Sequence, residues 1–178
     1  GLGNTARGES ATIAGGSGNE ANGLRSTVGG GKYNVASNEH ATAAGGYANE
    51  ASGVGSAVGG GLQNVADGNE STIAGGGGNW ASGMNSTVAG GHENTAAGYA
   101  SFAAGRQAKA NHQGAFVWGD STAADFASTA QDQFLIRASG NVGINKNNPA
   151  STLDVNGTVE ATGIKMPTGA SNGHVLTS

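Results

Sequence analysis

Four histidines, His40, His92, His112 and His174, have the chemistry of general bases or metal ligands. Glycine runs such as GGSGNEANG and GGGGNWASG have the freedom to cradle a phosphate. Neither feature completes a site. A hydrolytic centre needs nucleophile, base and orienting carboxylate converging on one pocket. No Asp or Glu recurs at a fixed spacing from these histidines. A phosphate loop needs a strand before it, a helix after it and a Gly-Lys-Ser/Thr ending. The run GGGKY instead places Tyr33 where the hydroxyl belongs. Calcium-binding glycine repeats recur about every nine residues and carry Asp. The recurring residue here is Asn, whose neutral amide binds a hard cation poorly. The expectation is therefore no catalytic residue, no metal site and no cofactor.

The glycines follow a different rule. Thirty-five of 178 residues are Gly, and they fall in register. The stretch NWASGMNSTVAGGHE from Asn79 repeats NVADGNESTIAGGGG from Asn64. The same frame runs back through Asn49, Asn34 and Asn19 to Asn4, and forward to NTAAGYASFAAGRQA at Asn94. A fixed period of 15 residues marks a repeat architecture. Counting each repeat from its Asn, position three is Ala in every copy. Position ten reads Ile13, Val28, Ala43, Val58, Ile73, Val88 and Ala103. These two columns stay apolar and are assigned to the interior. Short runs around NxA and STV suit strands, with glycine turns between them. Position five is Gly with one exception, Asn38, which predicts a turn residue at positive φ. The Asn of position one predicts side-chain amides bonded from rung to rung. The fold class is all-β: a β-solenoid of parallel strands with 15-residue rungs, each about 4.8 Å further along the axis. Eight rungs would span roughly 38 Å.

The eighth rung breaks the period. Ala96 to Ala110 and Gly105 to Gly119 are steps of 14 residues. The lost residue is assigned to the turn Arg106–Ala108. His112 then falls at position five and is read as a turn residue at positive φ.

Net charge is −4 and 11% of residues are charged, which lacks the clustered Lys and Arg of a nucleic-acid surface. No apolar run is long enough to cross a membrane, so no membrane insertion is expected in this segment. The chain reads as a piece of a longer protein. It has no Cys and hence no disulfide to staple it. Columns of Ala and Val enclose a thin core, so burial between chains is needed to offset backbone entropy of ~1–2 kcal/mol per residue. Position nine supplies a face for it. Thr12, Thr27, Thr42, Thr72 and Thr87 are followed by Phe102 and Phe116, with Ala57 as the lapse. These side chains alternate with position ten and point outward. A column that turns from Thr to Phe suits a partner chain, and three chains about an axis would bury it. These seven residues form the candidate trimer interface. A Thr ladder also suggests an ice-ordering face; the lapse at Ala57 and the change to Phe weigh against it.

After Gly119 the period stops. FLIRASGNVGI reads as strand, turn, strand, and Asn156-Gly157 between apolar alternations predicts a hairpin. The expected division is a solenoid at 1–123, a short β-hairpin-rich neck at 124–163, and a linker or truncated module at 164–178.

The segment SFAAGRQAKANHQGAFVWGD, Ser101 to Asp120, resembles the head repeat of YadA-like trimeric adhesins, and STVGGG, STIAGG and STVAGG look like a longer variant of it. ADFASTAQDQFLIRASGNVGI followed by NPASTLDVNGTV resembles fibre proteins that carry such heads. The resemblance covers roughly residues 4 to 163. It implies a homotrimer of left-handed parallel β-rolls on a bacterial cell surface or a phage-type particle, in either case extracellular. It implies a rigid spacer and an adhesive head for a host or prey surface protein or glycan. The alternative is a phage or injection-system tail-fibre shaft. The candidate ligand surface lies on variable outward positions: Lys32, Tyr33, Tyr47 and His92 at positions fourteen and fifteen, Trp80 at position two, Met84 and Tyr99 at position six.

Overall fold

The computed structural model describes residues 1–163, so His174 and the expected module at 164–178 lie outside the described residues. Among the described residues there are twenty strands and no helix. Eighteen of the strands form two nine-stranded parallel sheets. The first sheet runs from Thr5–Ala6 through Glu20–Ala21 and Val35–Ala36 to Phe126–Ala127. The second runs from Thr12–Ile13 through Thr27–Val28 to Phe134–Arg137. Thr5 pairs with Glu20 and Thr12 with Thr27, so each circuit of the chain stacks on the next as a β-solenoid. A third edge is stitched by single bridges, Ser17 to Lys32, Lys32 to Tyr47 and onward to His92.

The interior follows the two apolar columns. Ala21, Ala36, Ala51, Ala66, Ala81 and Ala96 are fully buried, and so are Val28, Ala43, Ile73 and Val88. Two polar columns join them. Ser26, Ser56, Ser71, Ser86 and Ser101 are buried at position eight, beside Ala41 and Ala115 in the same column. The Asn of position one is buried from Asn19 to Asn94, and its amides are bonded from rung to rung. The Oδ1 of Asn34 accepts the backbone N–H of Asn49 (3.0 Å). Its Nδ2 donates to the carbonyls of Gly30 (2.8 Å) and Gly46 (2.9 Å). The ladder ends where Ala108 N–H donates to Asn94 Oδ1 (3.0 Å). A buried amide without such partners would be costly. Here its bonds lie along the axis, and they hold the glycine turns of adjacent rungs together.

The glycines of position five do not serve the role expected of them. Gly8, Gly23, Gly53, Gly68, Gly83 and Gly98 have no positive φ, and neither Asn38 nor His112 does. A Cβ on Gly8 would overlap the carbonyl of Gly23, and one on Gly53 that of Gly68. Close stacking of backbones, not handedness, selects Gly there. The left-handed residue comes two places later: Ser10 (φ 60°), Arg25 (54°), His40 (57°), Glu70 (57°), Asn85 (58°) and Ala100 (51°).

The shortened rung is also corrected. Val88 pairs with Ala103 but Gly91 with Gly105, so the register slips between these pairs. The rung has lost one member of its Gly-Gly pair, not a residue of Arg106–Ala108.

The solenoid continues past residue 123. A ninth rung carries Phe126–Ala127 and Phe134–Arg137, whose Phe134 pairs with Phe116. The loop after Asp120 interrupts the spacing and hides this rung from the sequence period. The compact solenoid unit runs from Gly1 to Ser139, and a second unit begins at Gly140. No hairpin forms at Asn156-Gly157. Val142–Ile144 and Leu153–Val155 pair in parallel instead, so the neck described as hairpin-rich is not one among the described residues. The strand at Leu153 is the one the alternation predicts, but its partner lies before the NKNNPAS loop rather than after Gly157.

Candidate functional surface

The outward sides of the two sheets differ in kind. On the first sheet the outward positions carry charge. Arg7 pairs with Glu20 (3.7 Å), Lys109 with Asp125 (3.6 Å), and Trp80 Nε1 donates to Asp67 (2.9 Å). On the second sheet the outward positions are nine and eleven. Position nine runs Thr12, Thr27, Thr42, Ala57, Thr72, Thr87, Phe102, Phe116, Phe134. Position eleven runs from Ala14 and Gly29 to Trp118 and Ile136. Through all nine rungs neither column holds a charged residue.

At the C-terminal end this face becomes aromatic. Phe102 stacks on Phe116 with centroids 4.6 Å apart and planes 1° apart, and Phe116 on Phe134 at 4.5 Å and 18°. Strand pairing sets the rings in line: Phe102 is opposite Phe116, and Phe116 opposite Phe134. Phe134 is 68% exposed, and Trp118 and Ile136 are exposed beside it. The seven candidate interface residues thus lie in one continuous column. Phe134 extends it, and Trp118 and Ile136 lie beside it in position eleven; none of the three is among the sequence candidates. The signal for Phe134 and Ile136 is the apolar run FLIR, recognisable as a rung once the loop after Asp120 is skipped, and Trp118 stands two places after Phe116 in the same strand.

The candidate ligand residues do not converge. Lys32, Tyr47 and His92 follow the third edge, bridged through Leu62 and Gly77. Tyr33 meets Tyr47 edge to face at 5.8 Å, and Lys32 Nζ sits 4.7 Å from the Tyr33 ring centroid. The Tyr33 ring also packs against Gly18, where a Cβ would overlap it. Trp80 is elsewhere, on the outward side of the first sheet. Met84 and Tyr99 sit on the turns between sheets in successive rungs, where Ala100 N–H donates to Met84 O (2.9 Å). The structure brings Lys32, Tyr33 and Tyr47 together, stacks Met84 and Tyr99 on neighbouring turns, and leaves Trp80 and His92 apart from both groups.

The histidines are equally separate. His40 lies 3.5 Å from Glu39 and His92 3.7 Å from Glu93, all exposed. His112 Nδ1 is 2.8 Å from Ser128 Oγ. Ser128 also accepts the N–H groups of Asn111 (3.0 Å) and His112 (3.3 Å), so its own proton is directed to Nδ1. Among the described residues no three His, Cys, Asp or Glu side chains are grouped to hold a metal. A concavity in the second unit is lined by Gly143, Asn145, Lys146, Asn147 and Asn156. Its cation, Lys146, is paired with Asp154 (2.7 Å), and this bond holds the Asp154 carboxyl below its ordinary value.

No family model matches the chain, and no curated protein matches it.

Proposed function

We propose that this chain is a structural and adhesive segment of a homotrimeric extracellular fibre, in which three left-handed β-rolls pack through their second sheets. It acts as a rigid spacer that displays its outer edges, and it catalyses no reaction. The observation that carries this reading is the uncharged face that spans all nine rungs. A long sheet face without charge that ends in stacked exposed aromatics fits a surface covered by a partner. The first sheet of the same chain carries charges at its outward positions, so composition alone does not explain the difference. A partner with the same repeat has the same rise per rung. Its small Thr and Ala side chains therefore interleave along the whole column, and its Phe stack meets ours at one end.

The outer edges then carry recognition. Lys32, Tyr33 and Tyr47 form the best-assembled patch for a surface protein or glycan, and three copies of a weak contact gain by avidity. Solution mass by light scattering tests the assembly. A trimer of 17.1 kDa chains has a mass of about 51 kDa. A mass near that of one chain overturns the reading and leaves the Thr column facing water, which favours ice binding. A thermal-hysteresis assay then decides that case.

A further inference from the structure

Among the described residues the strands of the ninth rung are the last of their sheets, each paired along one edge only. The Asn column has also ended, since Phe126 stands opposite Ala108. Terminal rungs of a stacked repeat are the first to fray. Two side-chain clusters replace what is missing. On the first sheet, buried Ser128 takes the place of the column's Ala. It ties the rung to Asn111 and His112 through the three contacts given above.

On the second sheet the hub is Arg137. Its Nη1 donates to Ala124 O (2.6 Å), and its Nη2 to Thr122 O (3.0 Å) and Arg106 O (3.2 Å). Its Nε donates to Asp120 Oδ1 (3.2 Å), and the guanidinium lies over the Phe126 ring at 5.2 Å. The other oxygen of Asp120 accepts Ser139 N–H (2.6 Å). One planar fork thus joins the strand ending at Arg106, the loop after Asp120 and its own strand. Ser139 is the last residue of the solenoid unit.

We propose that residues 120–139 form a mechanical lock on the solenoid. Tension applied from Gly140 onward enters at Ser139, where ladder bonds would otherwise open one at a time, as in a zipper. The Asp120 and Arg137 contacts span three segments and must break together before Phe134–Arg137 can lift. Only the source of the tension rests on the fibre reading; the bonds themselves are within one chain.

Amide hydrogen exchange on the whole chain tests the lock at rest. In the unaltered protein the bonded amides of 126–137 are expected to exchange as slowly as those of 102–118. Arg137→Lys, which keeps charge but loses the fork, is expected to speed exchange in 126–139 at least tenfold and leave residues 20–90 unchanged. Ser128→Ala, which restores the column's usual residue, is expected to do the same for 126–128. Fast exchange of the ninth rung without substitution, or no change in both variants, overturns the lock. Pulling single molecules from their two ends tests its mechanical role. Arg137→Lys is expected to show an early step that frees residues 120–139, roughly 70 Å of extended chain, which the unaltered protein lacks. The same early step in both proteins overturns that role. A monomeric solution mass would remove the fibre reading, while the exchange result would stand by itself.

Discussion

Asn64 Oδ1 accepts two hydrogen bonds from one residue of the next rung: the backbone N–H of Asn79 at 3.0 Å and its Nδ2 at 2.9 Å. The backbone bond of this junction recurs along the buried column.

Asn64→Ala removes that acceptor and takes the Nδ2 donor from the carbonyls of Gly60 and Gly76, of which Gly76 keeps the N–H of Leu62. Leaving a buried partner unpaired costs about 1–3 kcal/mol, so urea denaturation is expected to show a loss of about 3 kcal/mol or more. Asn64→Asp keeps the acceptor but buries a charge against two carbonyls. Its loss is expected to be larger at neutral pH and to shrink on acidification, as the carboxyl takes up a proton. The same loss at both pH values would show that the amide's donors are dispensable.

The serine column gives the opposite sign. Ser71 Oγ is buried and has no hydrogen-bond partner among the described residues, while Ala41 and Ala115 are buried in the same column. Ser71→Ala is expected to stabilise by about 1 kcal/mol, read as a rise in Tm. A fall in Tm would mean that the hydroxyl is bonded in solution.

Two glycines separate the two demands on backbone. A Cβ on Gly53 overlaps the carbonyl of Gly68, whereas one on Gly45 meets only Gly30 O at 3.9 Å. Gly45→Ala is expected to be neutral or to stabilise by up to ~1 kcal/mol. Gly53→Ala is expected to cost several times that, or to prevent folding. Circular dichroism melts of the two variants distinguish them.

Thr42→Lys places a charge in the middle of the uncharged face. In the proposed trimer it is expected to reduce the solution mass from that of three chains to that of one and to lower the Tm, because burial between chains is lost. Glu50→Lys, on the first sheet, is the control and is expected to leave the mass unchanged.

Acid stability reports on the last rung. Hydrogen bonds from Ser139, and then from Thr122, hold the Asp120 carboxyl well below its ordinary value of 3.8. A folded-state value below the unfolded one contributes stability that is complete above about pH 4–5 and is lost as pH falls toward the folded value. The urea midpoint is therefore expected to fall on acidification below about pH 4. Asp120→Asn is expected to lower the plateau and flatten that fall. An unchanged acid limb in the variant would assign the loss to other carboxylates.

Much of this fold was legible because a repeat restates its own constraints. The Ala of position three and the Val or Ile of position ten recur at a fixed interval, and both columns are buried. The Asn ladder was legible for the same reason. Position seven was not, because its left-handed residues are Ser10, Arg25, His40, Glu70, Asn85 and Ala100, with no common side chain to mark them. Position five was misread because Gly answers to two demands, positive φ and close approach, and the sequence does not say which. The ninth rung was hidden by the loop after Asp120, so Phe134 was never set in line with Phe116. The ligand candidates share variability and size, and neither property makes side chains neighbours.

The bonds of the Asn ladder have one further consequence, which concerns inheritance. Each Asn takes its partners from the rung above and the rung below, and those partners are the same in every rung. Removing or duplicating one whole repeat leaves every remaining amide with an equivalent neighbour. Loss or duplication of one whole repeat would therefore yield shorter or longer proteins that still fold, each differing by a fixed step of about 4.8 Å. Solenoid length is thus a trait that selection can adjust in whole units without disturbing the core.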